Sequence, residues 1–187
     1  MAQNHVIDLE TARRIGADDA EVIESFVRRH YAPLCRFMRH LTRQVEDAED
    51  LTQQAFIQAK QQIASYRGKA SLRTWLYRIA IHEYSHWKRK RRRTLDLESA
   101  PAHVEPAFQA CLEADALLCA ITRLPESLQT AFLLYEVQEL SLEETASVLG
   151  LPQGTVKSRL FNARRKLCSM LSGRQENEIE AQPILES

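Results

Sequence analysis

The chain has 187 residues, 44% of them hydrophobic, and its 25 basic and 25 acidic side chains give a formal net charge of zero. This length allows one medium domain or two small ones, and the apolar content is sufficient for a buried core. The first ten residues lack the apolar centre of a signal peptide, and no run approaches the roughly 18 apolar residues of a membrane helix, so we expect a cytoplasmic protein without membrane insertion.

The charge is unevenly distributed along the chain. Residues 28–93 contain sixteen basic and five acidic side chains. Residues 94–152 contain one basic and ten acidic side chains, and residues 153–172 contain five basic side chains and no acidic one. Two basic blocks therefore flank an acidic one. Blocks of this kind favour polyanion-binding surfaces, although scattered basic residues more often only solvate a helix face.

Helical periodicity dominates the first half of the chain. Residues 1–24 are interpreted as a short acidic lead, and residues 25–45 show apolar side chains at helical spacing, with Pro33 as a point of bending or restart. The next segment, "DAEDLTQQAFIQAKQQI", places one apolar stripe opposite a polar and partly acidic face.

The segment "SYRGKAS", Ser65 to Ser71, has the composition of a loop. Ser71 is a good N-cap for a helix that we expect to run to about Arg93. Its apolar side chains face two ways, which predicts a helix covered on two sides. It ends in six consecutive basic residues, Lys88 to Arg93.

Residues 94–112 mix prolines and acids and are interpreted as an acidic, flexible linker. Three or four further helices are predicted over residues 113–172. The polar and acidic tail, residues 173–187, is predicted to be disordered. The fold class expected is all-α, with two small helical domains.

The stretch "ELSLEETASVLGLPQGTVKSRLFNARRKL" has the pattern of a helix-turn-helix. Ser141 and Glu144 form a capping box, Gly150 suits the turn, and Pro152 is tolerated at a helix start. The second helix has an apolar stripe beginning at Val156, with basic side chains on its other faces. Such a helix can enter the major groove of DNA, although an ordinary amphipathic hairpin remains the alternative.

The residues His82-Glu83-Tyr84-Ser85-His86 match the H-E-x-x-H pattern of zinc peptidases. The third histidine of the extended pattern is absent, since position 92 is Arg, and six adjacent cations disfavour a Zn²⁺ ion. We therefore expect no metal, no cofactor and no catalytic residue. His103, Glu105 and Glu113 are the distant side chains that a zinc site would need.

Three segments together identify a family resemblance. "DAEDLTQQAFIQAKQQI" and "RGKASLRTWLYRIAIHEYSHWKRKRRR" resemble the N-terminal domain of bacterial sigma factors of the extracytoplasmic-function class. "LPESLQTAFLLYEVQELSLEETASVLGLPQGTVKSRLFNARRKL" resembles their C-terminal domain. The resemblance covers about residues 25–172 and divides the chain into a region 2-like domain (25–93), the linker (94–112) and a region 4-like domain (113–172).

The resemblance implies a protein that is not an enzyme and that binds the clamp helices and flap of core RNA polymerase, reads promoter DNA and melts it to initiate transcription of a stress or envelope-response regulon. An anti-sigma factor is a further expected partner. By match of motif, the polymerase face contains Glu49, Asp50 and Gln53. The −35 element would be read by Lys157, Ser158, Arg159, Phe161, Asn162 and Arg164.

The −10 element, melted into a single strand, needs a basic groove, stacking groups and a pocket for a flipped base. The matching positions are Arg67, Gly68, Lys69, Ser71, Tyr77, His82, Tyr84, His86, Trp87, Arg89, Arg91 and Arg92. His82 and His86 depart from the Asn that relatives often carry, which alters the hydrogen-bonding groups offered to −10 bases. Asn162 likewise replaces an Arg found in some relatives.

The −35 and −10 elements of a promoter, about two DNA turns apart, lie about 70 Å from each other. A linker of about 19 residues reaches roughly 65 Å when fully extended. We therefore expect a free protein that is compact or mobile and a linker that polymerase extends. The acids Asp96, Glu98 and Glu105 are expected to cover basic surfaces in the free state. The rival interpretations are a helix-turn-helix regulator that binds duplex operators, a zinc hydrolase, and an adaptor sequestered by an anti-sigma factor.

Overall fold

The computed structural model describes residues 2–95 and 116–180 of the chain, with side chains described for 6–93 and 116–172. Helices α1 (Ala2–Gly16), α2 (Ala20–Thr42), α3 (Val45–Gln62) and α4 (Leu72–Leu95) form the N-terminal module. Helices α5 (Ala116–Thr122), α6 (Glu126–Phe132), α7 (Leu142–Leu149) and α8 (Gln153–Glu180) form the C-terminal module. No strand occurs in either described range, and the all-α prediction with two helical modules is confirmed.

The centre of the N-terminal module is the packing of α3 between α2 and α4. The apolar stripe predicted for α3 is buried, from Ala48 to Ile63. Pro33 lies inside α2 and does not end it, so α2 is one helix of 23 residues. Leu34, Phe37 and Met38 follow that proline and are fully buried against the other helices.

Helix α1 was not expected from the sequence, which suggested only an acidic lead. It packs through Ala12 and Ile15 onto Ile63, Tyr66 and Leu72. Two buried residues spaced three apart make too short an apolar pattern to stand out from a polar segment, so tertiary packing stabilises this helix.

Helix α4 continues to Leu95 and is covered on two sides, as the opposed apolar faces predict. Leu76 and Ala80 are fully buried on one side, and Tyr77 is buried on the other. Residues 96–115 lie outside the described range, and with them most of the expected linker, including Asp96, Glu98 and Glu105.

The C-terminal module contains the predicted helix-turn-helix, α7 and α8. The Ser141 hydroxyl accepts from the Glu144 amide, and the Glu144 carboxylate accepts from the Ser141 amide, which completes the capping box. Gly150 ends α7 with φ of 65°, the left-handed conformation that favours glycine. Val156, Leu160, Ala163 and Leu167 of α8 are buried, and α8 continues to Glu180 through part of the tail for which composition suggests disorder.

The two modules share one hydrophobic core. A continuous cluster of buried side chains runs from Phe37 of α2 through Leu76 of α4 to Leu133, Leu134 and Leu167 of the C-terminal module. Hydrogen bonds reinforce this packing, since Arg43 Nη2 donates to the Thr122 carbonyl at 2.6 Å. The described part of the protein is therefore held in a closed arrangement, the name used below for this packing of the two modules.

His30, in the N-terminal module, is expected to make the stability of the folded protein pH-dependent. Burial, together with the charges of Arg29 and Arg73, lowers the pKa of His30 from 6.5 to about 4. The unfolded chain takes up this proton near pH 6.5 and the folded chain only near 4, so stability present at neutral pH is lost as the pH falls through that window. We expect His30→Gln to reduce the loss of unfolding free energy between about pH 7 and about pH 5 in urea titrations. An unchanged loss in the variant would contradict this assignment.

Candidate nucleic-acid interface

The loop between α3 and α4, residues 67–71, is held by hydrogen bonds at both ends. The Tyr66 hydroxyl donates to the Ala70 carbonyl at 2.7 Å, which spans the loop. Gly68 has φ of 68°, and the Ser71 hydroxyl accepts from the Thr74 amide at 3.0 Å as the predicted cap of α4. The loop presents the exposed side chains of Arg67 and Lys69 on a fixed backbone.

The aromatic side chains predicted to stack on single-stranded bases differ in their exposure. Tyr77 is only 1% exposed and packs edge-on against Phe37, and Tyr84 is also buried. These two rings leave no face for a base in this arrangement, because the apolar face that carries them packs into the core. Trp87 is half-buried, lies 5.7 Å from the Tyr84 ring between centroids, and has the Arg91 guanidinium over it at 5.0 Å.

His82 and His86 are exposed on α4, with their Nε2 atoms 3.2 Å apart. Among the residues with described positions, no group of three or more His, Cys, Asp or Glu side chains has the spacing of a metal site. The distant ligands that a zinc site would need, His103, Glu105 and Glu113, lie outside the described range. The two imidazoles therefore present hydrogen-bonding groups beside Trp87.

The basic end of α4 is partly engaged by acids of the same protein. Arg91 Nη1 lies 2.8 Å from Asp47 Oδ2 of α3, and Lys88 pairs with Glu126 at the start of α6. Arg89 and Arg92 are exposed. At this end of α4, Arg89 and Arg92 of the predicted −10 surface thus face solvent, whereas Arg91 of that surface and the neighbouring Lys88 contact carboxylates.

The outer face of α8 presents the residues predicted to read duplex DNA. Lys157, Ser158 and Phe161 are exposed, Phe161 by 64%, and Arg159 and Asn162 are half-buried. An exposed phenyl ring on such a helix suits contact with a thymine methyl group.

The C-terminal half of this face has its own intramolecular contacts. Arg164 Nε donates to Glu136 at 2.9 Å, and its guanidinium lies over the Tyr135 ring. Arg165 donates to the Asn162 side-chain oxygen at 3.1 Å. Asn162 is therefore oriented by Arg165, a partner that motif matching did not include.

The acidic face of α3 lies on the opposite side of that helix from the buried stripe. Glu49, Asp50 and Gln53 are all exposed. Ile57, one turn beyond Gln53, is 47% exposed and extends the same face with an apolar side chain. Sequence reasoning missed Ile57, although the i, i+4, i+8 spacing from Glu49 would have included it.

The closed arrangement places α7 over the start of α4. Glu144 Oε1 accepts from the Thr74 hydroxyl at 2.6 Å and from the Ser71 hydroxyl at 3.3 Å. Although burial opposes it, hydrogen bonding from Thr74, Ser141 and Ser71 lowers the pKa of Glu144, so the carboxylate is charged at neutral pH.

Three further contacts join the same surfaces. Arg78 donates to the Ser147 carbonyl at 2.9 Å and to its hydroxyl at 2.7 Å. The buried Tyr77 hydroxyl donates to the side-chain oxygen of Gln138, whose carbonyl accepts from Arg73. The 67–71 loop is therefore covered on one side by the helix-turn-helix.

Comparison with protein families matches both modules. The family model described as sigma-70 region 2 matches residues 26–94, and the model described as sigma-70 region 4 matches residues 114–167. Helix α1 lies outside both matches. In the described ranges, no helix combines the length and the apolar character needed to cross a bilayer.

Individual relatives agree with these matches. The chain is 30% identical to RNA polymerase sigma factor YlaC of Bacillus subtilis, over 83% of this chain and 95% of that protein. It is 31% identical to ECF RNA polymerase sigma factor SigM of Mycobacterium tuberculosis, over 83% of this chain and 80% of that protein. Among solved structures, the sigma factor RpoE in complex with the anti-sigma factor NepR from Bartonella quintana is 25% identical, with a TM-score of 0.69 over 80% of this chain and 96% of that one.

The contacts of Glu144 and Arg78 predict how the closed arrangement opens. Glu144→Gln keeps the capping box, since Gln serves at that position, but its one oxygen then accepts from the Ser141 amide and no longer from the Thr74 hydroxyl. Combined with Arg78→Ala, it should weaken the closed arrangement, which the shared apolar core still favours, and so raise the mean radius of gyration in small-angle scattering.

Ser141→Ala is the matched control, because it removes the cap and leaves the acceptor of Thr74 in place. It should cost about 1 kcal/mol of stability without expanding the protein. Equal expansion of the control and the double variant would contradict the role of these contacts.

Proposed function

The chain belongs to the extracytoplasmic-function class of sigma-70 factors, and we propose from the geometry of its surfaces how it binds core RNA polymerase, recognises −10 and −35 promoter elements, melts the DNA and initiates transcription of a stress or envelope-response regulon. The observation that carries this proposal is the presence in one chain of an exposed acidic face on α3 and two separate basic surfaces on α4 and α8. A regulator that only occupies a duplex operator needs one DNA-reading helix and no such acidic face.

The −35 element is assigned to α8. Its N-terminal half presents Lys157, Ser158 and Phe161 to base edges in the major groove. Asn162 has the paired donor and acceptor that recognise adenine, and Arg165 fixes its orientation. Arg159 and Arg164 are assigned to phosphates, which position the helix without specifying sequence.

The −10 element is assigned to the 67–71 loop and the exposed side of α4. The pocket for a flipped base is assigned to Arg67, Gly68, Lys69 and Ser71. Trp87 offers the aromatic surface for stacking. His82 and His86 lie along the path of the strand, and the basic end of α4 binds its phosphates through Arg89, Arg91 and Arg92. Tyr77 and Tyr84 are assigned a supporting role inside the helix packing, because both are buried.

The polymerase face is assigned to Glu49, Asp50, Gln53 and Ile57. An acidic, amide-bearing surface complements a partner that presents arginines, and an apolar side chain beside it adds desolvated area. We assign this face to the clamp helices and the C-terminal module to the flap.

Initiation requires the closed arrangement to open. α7 covers one side of the 67–71 loop, and two elements about 70 Å apart on DNA are beyond two modules packed on a shared core. Polymerase binding would supply the free energy that separates the modules.

The remaining assignments follow from this role. The protein acts without a catalytic site or cofactor of its own, and it works in the cytoplasm, where polymerase and promoter are found. A structural relative has been solved with an anti-sigma factor bound. By analogy, we assign an anti-sigma factor as a further partner.

Asp50→Ala should weaken binding to core polymerase by about tenfold, because the exposed carboxylate loses its cationic partner. Fluorescence titration of labelled protein with core enzyme measures this. Glu24→Ala on α2 is the matched control, since Glu24 is equally exposed and pairs only locally with Arg28. Equal affinities of the two variants would remove Asp50 from the polymerase face.

On α8, Lys157→Ala should lower discrimination between a −35 sequence and its single-base variants by about 1–3 kcal/mol. Arg164→Ala should instead weaken binding to all sequences and reduce the salt slope by about one ion. Run-off transcription and binding with holoenzyme on a transcribed genomic fragment measure both. Arg123→Ala, exposed in the same module but outside the helix-turn-helix, is the control. Loss of discrimination in Arg164→Ala alone would reverse the two assignments.

A further inference from the structure

Helix α1 lies outside the residues matched by the sigma-70 region 2 family model, which begin at residue 26. It nevertheless contacts both ends of the 67–71 loop. Ala12 and Ile15 pack into one buried cluster with Ile63 and Tyr66 before the loop and Leu72 after it. The N-terminal helix thus joins the two anchors of the segment assigned to the flipped −10 base.

One polar contact extends this packing to the loop itself. The Leu72 amide, at the first residue of α4, donates to Asp8 Oδ2 at 3.1 Å. The amides at a helix N-terminus have no partner inside the helix, and a carboxylate there also interacts favourably with the helix dipole. Ser71 already caps the Thr74 amide, so Asp8 and Ser71 together hold the first turn of α4.

Asp8 also affects Tyr66, the residue whose hydroxyl spans the loop to Ala70. Burial and the nearby charge of Asp8 raise the pKa of Tyr66 to about 12. This phenol therefore stays a hydrogen-bond donor throughout the physiological range. The Trp75 ring packs against the Tyr66 ring, with 5.5 Å between the centroids, and so helps to hold Tyr66 in place.

The connection to the rest of the module is independent of DNA and of the C-terminal module. Arg14 of α1 pairs with Asp19, the N-cap of α2, at 2.6 Å, and Asp18 between the two helices pairs with Lys60 of α3 at 2.7 Å. Helix α1 is thereby tied to α2 and α3 when α4 and α7 separate.

We propose that α1 is a brace for the −10 loop and that Asp8 is its positioning residue, which fixes the start of α4 so that the loop is ordered before a base enters it. A preformed pocket reduces the ordering cost that base capture must offset. This inference rests on the proposed function and deepens it, because it makes a segment outside the family match contribute to −10 recognition.

The test compares Asp8→Ala with Glu10→Ala, which removes an acid of equal charge from the same helix whose partner is the neighbouring Arg13. The probe is the non-template −10 strand of a genomic fragment that wild-type holoenzyme transcribes, offered as an oligonucleotide together with a copy carrying one substituted −10 base. Asp8→Ala holoenzyme should bind the matched strand about three- to tenfold more weakly and discriminate less between the two strands, because its loop is no longer fixed. Asp8→Asn, which keeps an acceptor oxygen, should recover most of both.

A merely structural role for Asp8 would lower affinity for both strands by the same factor or lower core polymerase affinity, and either result would overturn the proposal. Amide hydrogen exchange of residues 67–72 in the free protein gives a second measurement, in which Asp8→Ala should exchange faster and Glu10→Ala should match wild type. Equal exchange in the two variants would also overturn it. Failure of the wild-type holoenzyme to start a transcript on any genomic fragment is a separate result, which would contradict the proposed function itself.

Discussion

The carboxylate of Glu144 takes part in two structures at once, and through it the helix-turn-helix is coupled to the start of α4 in the other module. Within α7 it accepts from the Ser141 amide and completes the cap that starts the helix-turn-helix. Across the module boundary it accepts from the hydroxyls of Thr74 and Ser71 at the start of α4. Helix α7, which precedes the helix assigned to the −35 element, is thus hydrogen-bonded to the end of the loop assigned to the −10 element.

Pairing between basic and acidic side chains of the same chain explains how a protein without net charge carries two basic DNA-binding surfaces. Some basic side chains of these surfaces meet acids of this chain: Arg91 and Arg164, both assigned to phosphates, meet Asp47 and Glu136, and the neighbouring Lys88 meets Glu126. Each exposed pair contributes only about 0–1 kcal/mol, so such pairs hold the surfaces without making release expensive. Promoter phosphates replace these carboxylates with a denser array of negative charge and release counterions in doing so.

Much of the fold was predictable because its signals are local. The stripe of α3, the Ser71 cap, the capping box of Ser141 and the left-handed Gly150 each follow from a few neighbouring residues. Helix α1 was missed since its stability comes from packing on residues about fifty positions away. The division of α8 into a buried stripe and an exposed outer face likewise followed from its own sequence.

The unpredicted part of the site is the part that depends on contacts between modules. Tyr77 was assigned to bases on its aromatic character, and its burial against Phe37 and Gln138 is a tertiary fact. The acidic cover expected from the linker falls on residues outside the described range, whereas the cover seen over the 67–71 loop comes from α7. The prediction that Asp96, Glu98 and Glu105 cover basic surfaces therefore stays a prediction, and the contact of Glu144 with the Thr74 and Ser71 hydroxyls has no local signal in the charge pattern.

The free energy needed to separate the two modules is not determined by the surface ion pairs. Separating the modules exposes part of a shared apolar core and leaves Tyr77 and Gln138 to exchange a buried hydrogen bond for water, and these changes outweigh the exposed contacts. A partner shifts such an equilibrium only by the difference between its affinities for the two forms. Under the proposed function, core polymerase would gain control over promoter recognition by binding the separated modules more tightly than the closed ones, and a short DNA fragment, which contacts one module at a time, would gain little. On that proposal the shared core, more than the DNA-reading helix, makes recognition of a complete promoter depend on the polymerase.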